Sequence, residues 1–478
     1  MVFKLFPGAL FGALVLTGCI APGRDAAVRI RPASSYAAAS LATPVAANWP
    51  VDEWWRAYAD PQLDGLIAAA LQGSPDVAAA GARVNKAEAL VRTTRAARSL
   101  ALTANATGGL TKQSYNNGFP AEFVPHGYND YGRASLDFSY EIDFWGKNRA
   151  GTAAARRDAA AADADRAAAV LMLSTSVAST YAQLAQLYAD RNEALASVQL
   201  RADTLKLVTD RVAGGLDTRA ESQAAAANVP AARGDLAAIV ESIALTRNAL
   251  AALTGAGPDA GLAIAPPTTN VSLRAFGLPE TLSAELIGHK PEIVAARLRA
   301  EAAAARIHQA RAQFYPNVNL VAFIGLQSLG LGNLVKAGSD IGQIGPAFSL
   351  PLFDGGRLKA NLRGAEAEYA LAVAQYDSAV VRALQDVADA AASARALTGR
   401  LAQARLALTL EEDAYCVARL RYTGGLANYQ SVLLVENDVL LRRRSFTDLS
   451  ARAFVLDVAL IKALGGGYQA AGPALAAN

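Results

Sequence analysis

Between Lys147 and Val212, apolar residues recur at every seventh position: Val170, Val177, Leu184, Val198, Leu205 and Val212, with Arg191 the one break. A heptad held this long marks a seam between packed helices rather than the face of an ordinary globular helix. It predicts one helix of about 65 residues, on the order of 100 Å long at 1.5 Å per residue. Gly214 and Gly215 follow, where a backbone free to take positive φ can end the helix and reverse the chain. The same pattern returns 210 positions later at Val380, Val387, Ala394, Leu401, Leu408, Tyr415 and Tyr422. The stop also returns, as Arg211, Gly214, Gly215 and Leu216 match Arg421, Gly424, Gly425 and Leu426. So does the approach to the helix, since Phe138, Ser139 and Gly146 match Phe348, Ser349 and Gly356 at that offset. One offset that preserves strand, helix, turn and heptad phase indicates a tandem duplication.

A period of two replaces the heptad before each long helix. Leu136, Phe138, Tyr140, Ile142 and Phe144 alternate with Ser135, Asp137, Ser139, Glu141 and Asp143. One face is apolar and the other polar or acidic over about ten residues, the length and dyad pattern of a tilted strand crossing a bilayer. A soluble antiparallel sheet with one wet face shows the same alternation. The segment from Ala101 to Leu110 is β-tolerant and precedes a polar, aromatic loop from Thr111 to Tyr131. In the second repeat a strand is expected after Tyr315, Pro316 and Asn317, with Val318, Leu320, Ala322, Ile324 and Leu326 on one face. A Gly-rich loop, Leu329 to Ser339, then leads to a strand from Ile341 to Phe353. The remaining periodicity is helical. Trp54, Trp55 and Asp60 through Leu63 open one segment, and helices are expected from Pro75 to Ser99 and from Pro291 to Phe314. Thr218 and Glu221 form a capping box for the return helix, which ends near Leu253 and holds Pro230, a kink-forming residue with no counterpart at Leu440.

The start of the chain sets its destination. Lys4 precedes an apolar run from Leu5 to Leu16 and then Thr17, Gly18 and Cys19. A core of about a dozen residues is a secretory signal, too short for a membrane span. The end of the run resembles a lipoprotein lipobox, which implies cleavage after Gly18; on that basis the chain divides into a signal (1–18), a tether from Cys19 (19–50), a first repeat (51–270), a second repeat (271–465) and a disordered tail (466–478). Net charge is +3 with the basic residues scattered, which disfavours nucleic acid. The three histidines, His126, His289 and His308, are isolated, and two cysteines cannot build a metal site. No nucleophile elbow or phosphate-cradling loop is present, so the chain reads as no enzyme and needs no cofactor. The export signal and the repeated strand pair turn the period-two segments toward the bilayer reading. Four strands cannot sit in lipid as an open sheet, because the edge amides would lack partners. Two chains would give about eight strands and a filled barrel. Three give twelve and room for water.

Several motifs together resemble the outer-membrane factor family, which is similar to TolC in fold, and within it the NodT-type lipoproteins. They are the lipobox ending at Cys19, Trp54 with Trp55, Asp60 through Leu63, Lys290 through Glu292, Phe314 through Pro316, Phe353 through Gly356 and the two glycine turns. The resemblance implies an α+β membrane protein. Its protomer has four β-strands and long α-helices, and it trimerises into a 12-stranded β-barrel continued by a periplasmic α-barrel. It implies cleavage before Cys19 and acylation there, placement in the outer membrane of a Gram-negative bacterium, and a homotrimer. As partners it implies a periplasmic adaptor and an inner-membrane efflux transporter, the trimer being the passive exit duct for drugs or small toxic compounds. By motif match the adaptor docks at the periplasmic tips, Arg211, Gly214, Gly215 and Leu216 with Arg421, Gly424, Gly425 and Leu426. The family's gate acids would fall at Ser431 and Leu434, which are not acidic. Asp217, Glu221, Glu436 and Asp438 are the candidates for gate or lumen charges instead. The competing reading is a coiled-coil lipoprotein that spans the periplasm without a pore.

Overall fold

A computed structural model describes residues 29–31, 35–36, 49–268, 286 and 288–469. The signal, Cys19, most of the tether, the first residues of the second repeat and positions 470–478 lie outside the described residues. A short 3-10 turn, Trp54–Tyr58, leads to α1 (Pro61–Gly73) and α2 (Pro75–Ala96). Strands β1 (Ala101–Thr111) and β2 (Asn129–Glu141) precede α3 (Lys147–Ala213), α4 (Arg219–Leu253) and the one-turn α5 (Asp259–Leu262). The second half runs α6 (Pro291–Ala312), β3 (Asn317–Leu329), β4 (Asp340–Ser349), α7 (Arg357–Thr423) and α8 (Tyr429–Ala463).

The duplication is visible in the element boundaries. From the long helices onward the offset is 210 at both ends of both helices, Lys147 to Arg357 and Arg219 to Tyr429. Upstream it is 216, from Pro75 to Pro291 and from Ala101 to Asn317. The six-residue difference falls in the hairpin loop between the strands, where length is tolerated because the tip carries no packing. Both glycine turns close as Schellman motifs. The Leu216 and Leu426 amides donate to the Arg211 and Arg421 carbonyls at 2.9 and 2.8 Å, with Gly215 and Gly425 at φ 68° and 73°. The Thr218–Glu221 capping box is formed, and Asn428 caps α8 alone because its third position is Ser431.

Some expected boundaries move. Strand β2 begins at Asn129, inside the expected loop, and stops at Glu141; the Ile142 amide still donates to the Val318 carbonyl at 2.9 Å, and the chain turns away before Phe144. Gly146 turns there at φ 75°, and Asp143 accepts the Asn148 and Arg149 amides to start α3. Likewise β4 ends at Ser349, before Phe353. The expected disordered tail begins too early: Gly466 and Tyr468 donate to Ile461 and Gly465, so residues 466–469 are folded. Between the repeats, α5 follows Gly257 and Pro258.

The chain forms two compact units that both draw on both repeats. One, with Val84–Ala162 and Ala296–Tyr376, carries the sheet, of order β1-β2-β3-β4 and antiparallel throughout. The other, with Arg31–Arg83, Asp163–Ala295 and Asp377–Asn478, carries the main core. There Trp54, Trp55, Leu63 and Ile67 pack against Val177, Tyr181 and Leu184 of α3, Leu250 of α4 and Phe454 and Val458 of α8. Asp60 holds this cluster together: it accepts the Gln62 and Leu63 amides as the cap of α1, and also the Tyr181 hydroxyl at 2.7 Å. The fourteen heptad positions are all buried or half-buried, Arg191 included. Stretches of α3 and α4 are long and apolar enough to cross a membrane by composition, but in α3 Val177, Ala178, Tyr181 and Leu184 are committed to this core.

Candidate functional site: the two sheet faces and the glycine turns

Ladder register sorts the strand residues onto two faces, because directly paired residues point the same way. Leu102 pairs with Phe138, Phe138 with Ala322 and Ala322 with Ile344. Ala104, Leu136, Ile324 and Gly342 form the next row on that face. This face is apolar and open: Leu102 is 58%, Ile324 58%, Ile344 75% and Phe348 70% exposed. The opposite face carries Asn105, Arg133, Ser135, Asp137 and Gln343. Asp137 accepts Asn105 Nδ2 and Ser135 Oγ, each at 2.8 Å, and Arg133 lies 5.0 Å over the Phe323 ring. Gly325 is required here, since a Cβ would stand 2.2 Å from the Ala134 carbonyl. An uncovered apolar face backed by a largely polar one is the pattern of a strand with lipid on one side and water on the other.

An aromatic collar marks the helix end of the sheet. Trp145 stacks on Tyr315 at 4.5 Å and donates from Nε1 to the Pro316 carbonyl at 2.9 Å. Phe144, adjacent to Trp145 in the chain, stands exposed, as do Leu352 and Phe353 just after β4. Amphipathic rings of this kind belong at a membrane–water boundary.

At the glycine turns the structure separates the matched residues. Leu216 and Leu426 are exposed. Arg211 is not free: its Nε donates to Asp217 at 3.0 Å, Nη1 donates to the Tyr422 carbonyl at 2.8 Å, and the guanidinium lies 4.3 Å over the Tyr422 ring. The Tyr422 hydroxyl also donates to Asp217. This group joins the end of α3 to the end of α7, one from each repeat. The bond to Asp217 raises the Arg211 pKa, and burial, with Asp217 second, raises that of Tyr422. Repeat two has Ala427 where Asp217 stands, and Arg421 is exposed.

Of the four candidate gate or lumen charges, three hold local structure. Asp217 belongs to the group just described, and Glu221 closes the capping box. Glu436 is buried, accepts Thr204 Oγ1 at 2.8 Å and faces Arg201 at 3.6 Å, and burial raises its pKa against both partners. Asp438 alone is exposed. Tyr422 was visible in the sequence only as a heptad position, with nothing to signal its hydroxyl bond. Asp190, also missed, has its pKa raised to about 6 by burial and then by Asp448, against Arg444.

The family model for outer membrane efflux proteins matches residues 66–256 and 282–466, so this chain belongs to that family. It is an outer-membrane channel subunit for efflux, and members of the family are channels rather than enzymes. Among relatives, the fusaric acid resistance protein FusA of Burkholderia cepacia is 35% identical over 74% of this chain and 68% of its own length. The multidrug resistance outer membrane protein MdtP of Escherichia coli O6:H1 is 32% identical, covering 89% of this chain and 88% of its own. Among solved structures, the outer membrane protein VceC of Vibrio cholerae is 45% identical, with a TM-score of 0.83 over 88% of this chain and 100% of that one.

Proposed function

We propose that three copies of this chain close into one duct that carries small organic toxicants across the outer membrane, fed by an inner-membrane transporter through a periplasmic adaptor. The observation that carries this reading is the sheet itself. Strands β1 and β4 each have one unpaired edge among the described residues, and the outward face is apolar and uncovered. In lipid such edges must be paired, and edge-to-edge joining of three copies supplies twelve strands. A second seam supports it: Leu406, Leu410, Val417 and Leu420 of α7 stand exposed at helical spacing, a stripe suited to a helix of another copy. The cargo class follows relatives named for resistance to fusaric acid and to multiple drugs.

The tips around Gly215 and Gly425 serve as adaptor contacts, with Leu216, Leu426 and Arg421 as the available side chains. Arg211 and Asp217 act behind them by fixing the turn. Asp438 is the remaining candidate for a lumen charge. Cys19 carries the lipid, a reading supported by a relative named a probable outer membrane lipoprotein, SilC of Salmonella typhimurium. The division into signal, tether and two repeats is part of this proposal. The test is mass in mild detergent combined with planar-bilayer conductance of a Cys19→Ser variant. Trimers that insert and conduct are expected without the lipid. A water-soluble single copy would establish the tether reading instead.

A further inference from the structure

An open cleft of about 440 Å³ lies where α2, the end of β2 and the start of α3 meet. It is lined by Arg95, Arg98, Ser99, Tyr140, Glu141, Asp143 and Arg149. Its two carboxylates are already answered. Glu141 pairs with Lys147 at 2.6 Å, while Asp143 caps α3 through two backbone amides and meets Arg149 at 3.6 Å. Arg95 and Arg98, one helical turn apart and both exposed, have no acceptor among the described contacts for their side chains. Two guanidinium groups therefore line one cleft without an ion pair among the described residues, its two carboxylates being held by Lys147, Arg149 and the α3 amides.

The position identifies the anion. Tyr140 belongs to the apolar face of the sheet, and Leu100 and Leu102 continue outward from the cleft at 59% and 58% exposure. The stacked Trp145–Tyr315 pair lies at the same end of the sheet. Above the cleft is bare hydrocarbon-facing surface, and at the cleft are cationic forks with a phenol beside them. A headgroup phosphate with acyl chains satisfies both parts, since guanidinium groups bind phosphate oxygens in bidentate pairs and apolar surface takes the chains. Free phosphate would use only the first part. We propose that this cleft seats the headgroup of one anionic phospholipid per protomer, drawn from the periplasm-facing leaflet. The proposal rests on the apolar sheet face being lipid-facing.

The full-length protein, extracted in mild detergent and reconstituted with equimolar phosphatidylglycerol and phosphatidylcholine, tests it by native mass spectrometry of retained lipid. Wild type is expected to keep phosphatidylglycerol in preference to phosphatidylcholine. An Arg95→Gln/Arg98→Gln variant is expected to lose that retention about tenfold, as the loss of roughly 1.4 kcal/mol of binding requires. The Arg395→Gln control, at an exposed site on α7, is expected to keep it. Equal retention by wild type and the double variant, both inserted and conducting, overturns the headgroup site and leaves the channel reading standing. Displacement of the lipid by inorganic phosphate alone would assign the cleft to a free anion and also overturns the proposal. Failure of wild type to insert overturns both.

Discussion

Removing the carboxylate of Asp217 tests the joint between the two repeats most directly. The Asp217 and Arg211 side chains are 5% and 11% exposed, and Arg211 Nε reaches Asp217 at 3.0 Å. Asp217→Ala leaves a guanidinium in low dielectric with only the Tyr422 carbonyl and ring as partners. It also deprives the Tyr422 hydroxyl of its acceptor. Breaking a buried pair from one side costs about 3–5 kcal/mol. Taking the lower figure, because the turn adjoins solvent, local opening should rise about 100-fold, at tenfold per 1.4 kcal/mol. Amide hydrogen exchange on the assembled protein reads this at the last turn of α3 and the first of α4. Tyr422→Phe keeps the ion pair and loses one charge-assisted hydrogen bond, roughly 1.5–3 kcal/mol, so at the lower figure its effect should be near tenfold. Exchange in Asp217→Ala equal to wild type would refute the reasoning, because the group would then hold nothing in place.

Three further outcomes follow from the geometry. Ile324→Lys puts a charge on the exposed apolar face and should cost about 2–4 kcal/mol if it lies near the bilayer midplane; heat resistance of the assembled barrel in SDS should drop, whereas Gln343→Lys on the other face should leave it unchanged. Gly215→Asp and Gly425→Asp place a side chain at φ 68° and 73°, where the left-handed backbone costs an L-residue roughly 1–2 kcal/mol. Assemblies should survive while drug tolerance conferred by the whole system is lost, and full tolerance would remove the tips from adaptor contact. Asp190, raised to about 6, binds its proton more tightly when folded than unfolded, so stability should rise as pH falls from 7 to 5. Asp190→Asn should flatten that part of the profile in thermal unfolding, and an unchanged slope would place the titration elsewhere.

How much was legible in the sequence differs by element. The long helices were, nearly to the residue, because a heptad ended by paired glycines needs no distant partner to be recognised. Residues Phe144 and Phe353 misled, since the alternation runs on past the last paired residues while the backbone already turns away ahead of Gly146 and of the glycines after Asp354. Hairpin length was unreadable from the 210 offset, which describes only the part of the duplication after the loop.

The sequence alone determined the duplication, the four strands (two of them by their alternation), the reversals at Gly215 and Gly425, and through them the family. All of these are local patterns along one chain. Only the tertiary structure decided that Arg211 and Asp217 face Tyr422 from the other repeat, and that Glu436 is buried against Thr204. It likewise brought Arg95 and Arg98 to the foot of an apolar sheet face. Those contacts join residues far apart in sequence, and period and spacing carry no information about which distant side chains meet when the strands and helices pack.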